Sequence, residues 1–298
     1  MLKKIVWFYI GSQVLLNVSI SFSLATYVKF LESNGMGISQ THLINFCFMV
    51  TLMLMEVPTG AFADFFGRKK SVVASFFVCS LGTLVYFKAN SFMLFVLAEI
   101  IIAIGRAFYS GAMQAWMVDN LNANNCQSEI QQAIRRGCYL RQIGTAVGGL
   151  AGGMIGEASL GLPWLVTAAA LFLSGIICWR KIPEIEINNG QKTQIMRRIR
   201  EKVTAGVKNG WRDRSVMSVF VFSGIAAFTF QSLNMQWPLL FTNEFNWNIS
   251  FLGWVVVGIN IFLAIGGFFS TWFSQRIEND RRAVVLSQVI TVAGMLGA

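Results

Sequence analysis

Gly60-Ala61-Phe62-Ala63-Asp64-Phe65-Phe66-Gly67-Arg68-Lys69-Lys70 joins two apolar runs and places its charges where helices disfavour them. Asp64 closes the first run, at a helix C-terminus, where the macrodipole is already negative. Arg68 and Lys69 open the second run, at a helix N-terminus, where it is positive. Gly67 allows the tight turn between two antiparallel helices, and Gly60, lacking a side chain, offers a place for a neighbouring helix to approach. A preference for Lys and Arg on the cytoplasmic side of a membrane explains part of the basic cluster. It does not explain Asp64, which needs a partner. Arg68, one turn on, is the nearest, and Asp119, at the end of a later run, falls on the same membrane face.

Working outward, runs of the length that crosses a bilayer, roughly 20 mostly apolar residues, occupy 5–28, 40–63, 71–88, 91–118, 133–157, 162–179, 215–242 and 247–275. A ninth run starts at Ala283, and the sequence is expected to stop inside it at Ala298. With the N-terminus cytoplasmic, the inner side collects Lys3, Lys4, Arg68, Lys69, Lys70, Arg135, Arg136, the basic residues of 180–214, Arg276, Arg281 and Arg282. The outer loops then hold Lys29 and Lys88, which sets the orientation. Within 181–213, Ile195, Ile199, Val203 and Val207 recur every four residues among Arg and Lys, the pattern of a basic amphipathic helix lying at the inner surface. Residues 1–180 thus read as a six-helix bundle, 181–213 as a cytoplasmic central loop and 214–298 as part of a second bundle.

Composition agrees. The 298 residues are 55% hydrophobic and 13% charged, with a mean hydropathy of +0.57. A water-soluble domain carries roughly 25% charged residues, so the polar surface is too small to cover a soluble core. The 24 Lys and Arg against 14 Asp and Glu are accounted for by topology, and nucleic acid is set aside as a partner. Cys47, Cys79, Cys126, Cys138 and Cys178 have no C-x-x-C spacing and His42 is the sole histidine, so no metal site is expected. With no nucleophile–base pair or phosphate loop, the chain does not read as an enzyme.

The Gly60–Lys70 stretch resembles the loop signature of the major facilitator superfamily, G-x-x-x-D-(R/K)-x-G-(R/K)-(R/K), with Phe65 in place of the basic residue after the aspartate. It lies where that family has it, after the second span. The resemblance implies an all-α membrane protein of the major facilitator fold. It would comprise a six-helix N-terminal bundle plus an incomplete C-terminal bundle, roughly eight and a half of the twelve helices of two repeated halves. It also implies that Asp64, Arg68 and Asp119 form a cluster, flanked by Gly60, Gly67 and Lys69, that latches the inner side in one state of a transport cycle. In the fifth run, Gly144, Gly148, Gly149, Gly152 and Gly153 form a smooth helix-packing face. They resemble the g-x-x-x-G-P-x-x-G-G motif of the family's drug/proton antiporters, with Gly149 where that motif has proline. The likeness is to bacterial drug and antibiotic efflux permeases.

Four ionisable residues, Glu56, Glu99, Arg106 and Arg141, lie deep in apolar runs. A charge at mid-bilayer costs roughly 2.5–3.5 kcal/mol on insertion scales, and such residues mark pathways or paired sites. Counting along the helices puts Glu56 and Arg141 at similar depth, so Glu56 can pair with Arg141 or with Arg106. A carboxylate here is a candidate proton carrier, and an arginine its tuner or an anion clamp. The family's cavity-lining helices implicate Gln13 and Asn17 in the first run, and Gln231, Asn234, Gln236 and Trp237 in the seventh. The resemblance therefore implies a secondary active transporter, monomeric when full length, without a cofactor and driven by a proton gradient. It would export a small organic solute across the bacterial inner (plasma) membrane. The alternatives are a sugar or metabolite importer or uniporter on the same fold, and, in another class, a non-transporting sensor or assembly partner.

Overall fold

The structure, a computed structural model, describes residues 2–124, 126–182, Met217 and 231–276. The central-loop helix at 181–213, most of the seventh run and the ninth run fall outside the described residues. Each other apolar run forms a helix: α1 Leu2–Leu24, α2 Tyr27–Ser33, α3 Ile38–Phe66, α4 Arg68–Lys88, α5 Phe92–Ala123, α6 Glu129–Ala158 and α7 Leu162–Lys181. They are followed by α8 (231–239), a π-helical turn Leu240–Glu244 and α9 Ile249–Arg276. No strand occurs among the described residues.

Six segments are long and apolar enough to cross a membrane: Lys3–Ser33, Ile38–Phe66, Arg68–Lys88, Phe92–Ala123, Leu162–Lys181 and Ile249–Gly266. α6 stands apart. Its 30 residues span about 45 Å, yet its glycines and charged ends lower its hydropathy; its glycine faces pack on α1 and α9 while Ile143, Val147 and Met154 stay exposed. Packing runs in sequence from α3 to α5, α4, α7, α1, α6 and α9. One apolar core, around Phe76, Tyr109, Met113, Trp116 and Leu171, fills the bundle toward the Arg68 end. A second, around Phe30, Tyr86, Phe95 and Trp164, fills the opposite end.

Two expectations change. The first span is broken: α1 ends at Leu24 and α2 restarts at Tyr27, the turn being held by Phe30 N–H donating to Thr26 O (2.8 Å). The α6 glycines serve two faces, not one. Gly144 and Gly148 abut Val18, and a Cβ on Gly152 would enter the Phe22 backbone. Gly149 and Gly153 instead face α9, with a Cβ on Gly153 falling 2.7 Å from Gly253 N.

Candidate functional site

At the α3–α4 turn, Gly67 adopts φ 107°, a left-handed value that only glycine takes readily. The turn returns Arg68 toward the end of α3. Its guanidinium reaches Asp64 (Nη2–Oδ1 3.3 Å) and, from Nε, the Asp119 carboxylate of α5 (2.9 Å). Ser71 Oγ donates to Phe108 O (2.8 Å), fixing the first turn of α4 on α5. One arginine thus holds the ends of three helices, and Asp64, disfavoured by its own helix, is neutralised. Lys69 forms no ion pair among the described residues. Gly60 departs from expectation: nothing lies within 4 Å of a Cβ placed there, so no described helix approaches it.

Toward the other end, α5 presents Glu99, Ile102 and Arg106 along one face, at spacings of three and seven. They border a cavity of about 210 Å³ closed by Tyr27, Asn45, Thr83, Trp164, Thr167, Gln231 and Asn234. Glu99 is only 5% exposed, and no ion pair forms at Glu99 or Arg106 among the described residues. Four buried polar atoms, Tyr27 Oη, Tyr86 Oη, Trp164 Nε1 and Thr167 Oγ1, have no hydrogen-bond partner among the described residues. Three belong to cavity-lining residues, and Tyr86 stacks on Trp164 with centroids 3.9 Å apart. Tyr27 Oη lies near Glu99, Tyr86 and Asn45 without hydrogen-bond geometry to any of them. An unsatisfied buried polar group costs about 1–3 kcal/mol. Three of the four thus share with Glu99 a cavity whose other walls, from Ile20, Leu24 and Phe48, are apolar.

The break between α1 and α2 matters here, because it turns Tyr27 into the cavity wall. A second cavity of about 230 Å³ adjoins the first across Leu24, Tyr27, Asn234 and Met235. It adds Gln142, Thr145, Trp237 and Asn260. α8 is fastened to the bundle by Gln231 Nε2 donating to Asn45 Oδ1 (2.7 Å). Beyond Tyr27, α2 meets the π-helical turn. Lys29 Nζ contacts Glu32 Oε2 (2.5 Å) and donates to Asn243 Oδ1 (2.6 Å), while Asn243 Nδ2 donates to Glu32 Oε1 (2.7 Å). Asn243 sits in the π-helical turn, a geometry frequent at functional positions. Nearby, Ser250 N–H donates to Glu157 Oε2 (2.8 Å), so an α6 carboxylate caps the start of α9.

Of the sequence-predicted residues, Glu99, Arg106, Gln231 and Asn234 meet at the first cavity, and Trp237 lines the second. Gln13 donates to Tyr9 Oη (3.4 Å) and Asn17 to Gln13 O (2.8 Å); neither borders these cavities, and Gln236 is exposed. The expected pairing of Glu56 with Arg141 or Arg106 does not form. Glu56 is exposed on α3, and neither it nor Arg141 has an ion-pair partner among the described residues. Tyr27, Asn45, Trp164, Thr167, Gln142 and Asn260 were not foreseen. An amide within an apolar run was the available signal for Asn45 and Asn260; an aromatic ring in such a run carries none.

Packed apolar helices around a largely apolar cavity with a few convergent polar groups, and a charge cluster at one helix turn, fit a multi-pass membrane protein of transporter architecture. The chain belongs to the Major Facilitator Superfamily, whose sequence pattern matches residues 9–298. It is similar to the uncharacterized MFS-type transporter YxaM of Bacillus subtilis (strain 168), 23% identical over 250 residues. That match covers 81% of this chain and 58% of the relative, so the chain spans little more than half of that protein's length.

Proposed function

We propose that this chain carries the first half, and part of the second, of a secondary transporter that exports a small amphiphilic organic compound in exchange for protons. In this reading the Arg68 end is cytoplasmic, the membrane is the bacterial inner membrane, and Glu99 is the proton-carrying group. The carrying observation is the Glu99 cavity itself: among the described residues, a buried carboxyl without an ion pair, three lining polar atoms without hydrogen-bond partners, and aromatic and aliphatic walls. Apolar pockets with a few convergent polar groups suit an amphiphilic guest. The Asp64–Arg68–Asp119 cluster serves as the cytoplasmic latch, and the Lys29–Glu32–Asn243 contacts close the opposite side. Import of a polar metabolite is the second reading; the glycine at 149, where antiporters carry proline, favours it, as do the amides Asn45, Gln231 and Asn234.

The test uses everted vesicles containing the full-length protein, an imposed pH gradient and ethidium as the probe. Wild type accumulates ethidium and Glu99→Gln does not, although it is inserted at equal level. Gradient-driven accumulation unchanged in Glu99→Gln removes Glu99 as the carrier. Uptake seen only in right-side-out vesicles supports the import reading.

A further inference from the structure

α1 and α7 converge at the Lys3 end on a groove of about 490 Å³, remote from the Glu99 cavity. We propose that this groove is a binding site for an anionic phospholipid, its headgroup on Lys3, Lys4 and Lys181 and one acyl chain along α1. The inference is independent of whether the protein exports or imports.

Charge supplies the first argument. All three lysines are exposed, and among the described residues none has an ion-pair partner and no acidic side chain lines the groove. Basic pockets between membrane helices near the cytoplasmic face attract anionic headgroups. Below this rim the polarity ends. Trp7, Phe8, Leu15 and Ile177 form the walls, and the one hydroxyl, Ser12 Oγ, is committed to Tyr9 O and Tyr109 Oη (both 2.9 Å). A free inorganic anion would use the rim and leave the apolar length unused.

Dimensions supply the second argument. Lys4 to Leu15 covers about 16 Å of helix, close to half of a ~30 Å hydrocarbon core. That is the depth to which one acyl chain reaches. Gly11 lies midway on this path, and a Cβ built there meets nothing within 4 Å. The groove therefore passes over Gly11, where a larger side chain would fill it without striking protein. Trp7, 63% exposed, stands next to the rim in the manner of an interfacial aromatic.

The experiment follows quenching of Trp7 fluorescence in the purified full-length protein by phosphatidylglycerol brominated on its acyl chains. Brominated phosphatidylcholine, inorganic phosphate and a Trp7→Phe background serve as controls. Lys3→Gln/Lys4→Gln/Lys181→Gln is expected to weaken phosphatidylglycerol binding roughly hundredfold, about fivefold per lysine. Gly11→Leu, which keeps every lysine, should abolish Trp7 quenching, and phosphate should not displace the lipid. Equal binding of phosphatidylcholine and phosphatidylglycerol would reduce the groove to ordinary annular contact and overturn the proposal. Displacement by phosphate with no effect of Gly11→Leu would make it a free-anion site and overturn it likewise. Because the triple substitution lies at exposed positions and Gly11→Leu in open space, unchanged melting of both variants separates lost binding from lost folding.

Discussion

Gly152→Ala should separate α1 from α6, and its cost can be worked from the contact it destroys. A Cβ at position 152 would overlap the carbonyl oxygen of Phe22 and lie 2.6 Å from its carbon and 2.8 Å from its Cα. These are backbone atoms, so no rotamer change relieves the overlap and the helices must move apart. Overpacking of this kind costs about 1–3 kcal/mol, and a backbone obstacle places it at the upper end. Replacing a helical glycine by alanine returns about 0.5–1 kcal/mol through backbone entropy. The net is about 2 kcal/mol of destabilisation, or roughly 4–8 °C in melting temperature at 2–4 °C per kcal/mol. Gly11→Ala, on the partner helix, meets nothing within 4 Å. It retains only the entropic gain and should melt at or slightly above wild type. Tryptophan fluorescence melts of the purified full-length protein in detergent read both variants. If Gly152→Ala melts no lower than wild type, or Gly11→Ala falls as far, backbone contact is not what holds α1 on α6.

Three further outcomes follow from the polar contacts. Arg68→Lys keeps the charge but presents a single ammonium to two carboxylates on different helices, so it should disrupt the turn nearly as much as Arg68→Ala; parallel melts and transport rates check this. At the Lys29–Glu32–Asn243 contacts, Lys29→Glu should raise labelling of a cysteine introduced at Thr167 by a membrane-impermeant thiol reagent. Adding Glu32→Lys should restore protection, because the Asn243 amide can flip its donor and acceptor; labelling that stays high in the double variant would show that the pair does not close this side. Thr167→Val removes a buried hydroxyl without a partner and should stabilise by about 1 kcal/mol while lowering transport, and a loss of both would assign Thr167 to packing alone.

The helices were legible because membrane spans are apolar for a bilayer's thickness, which needs no knowledge of neighbours. Asp64 and Arg68 were legible for a related reason: they lie four residues apart across a turn whose glycine is visible in the sequence. Asp119 came from the family resemblance, since its partner lies on another helix. Pairing of Glu56 failed because counting residues along a helix gives height and not direction. Glu56 is exposed on α3 and meets neither Arg106 nor Arg141. The aromatic side of the cavity was hidden for another reason. Trp164 is buried and Trp179, on the same helix, is 62% exposed, and an apolar run reads alike around both. The break at Ala25–Thr26 carries neither glycine nor proline, so nothing local announced it.

The seam between α6 and α9 has a mechanical consequence. Helices that interlock through side-chain ridges must lift those ridges out of their grooves before they can slide. Gly149 and Gly153 leave α6 without ridges on that side, and Gly253 answers with another bare patch, its own added Cβ falling 2.9 Å from Leu150 O. At Gly153 and Gly253 the surfaces meet backbone to backbone, while the buried Val256 of α9 sets its side chain against Gly149. A tilt of one helix against the other would therefore pivot about the bare Gly153–Gly253 contact, with the Val256 side chain at Gly149 and the Ser250–Glu157 hydrogen bond as the points it must carry along.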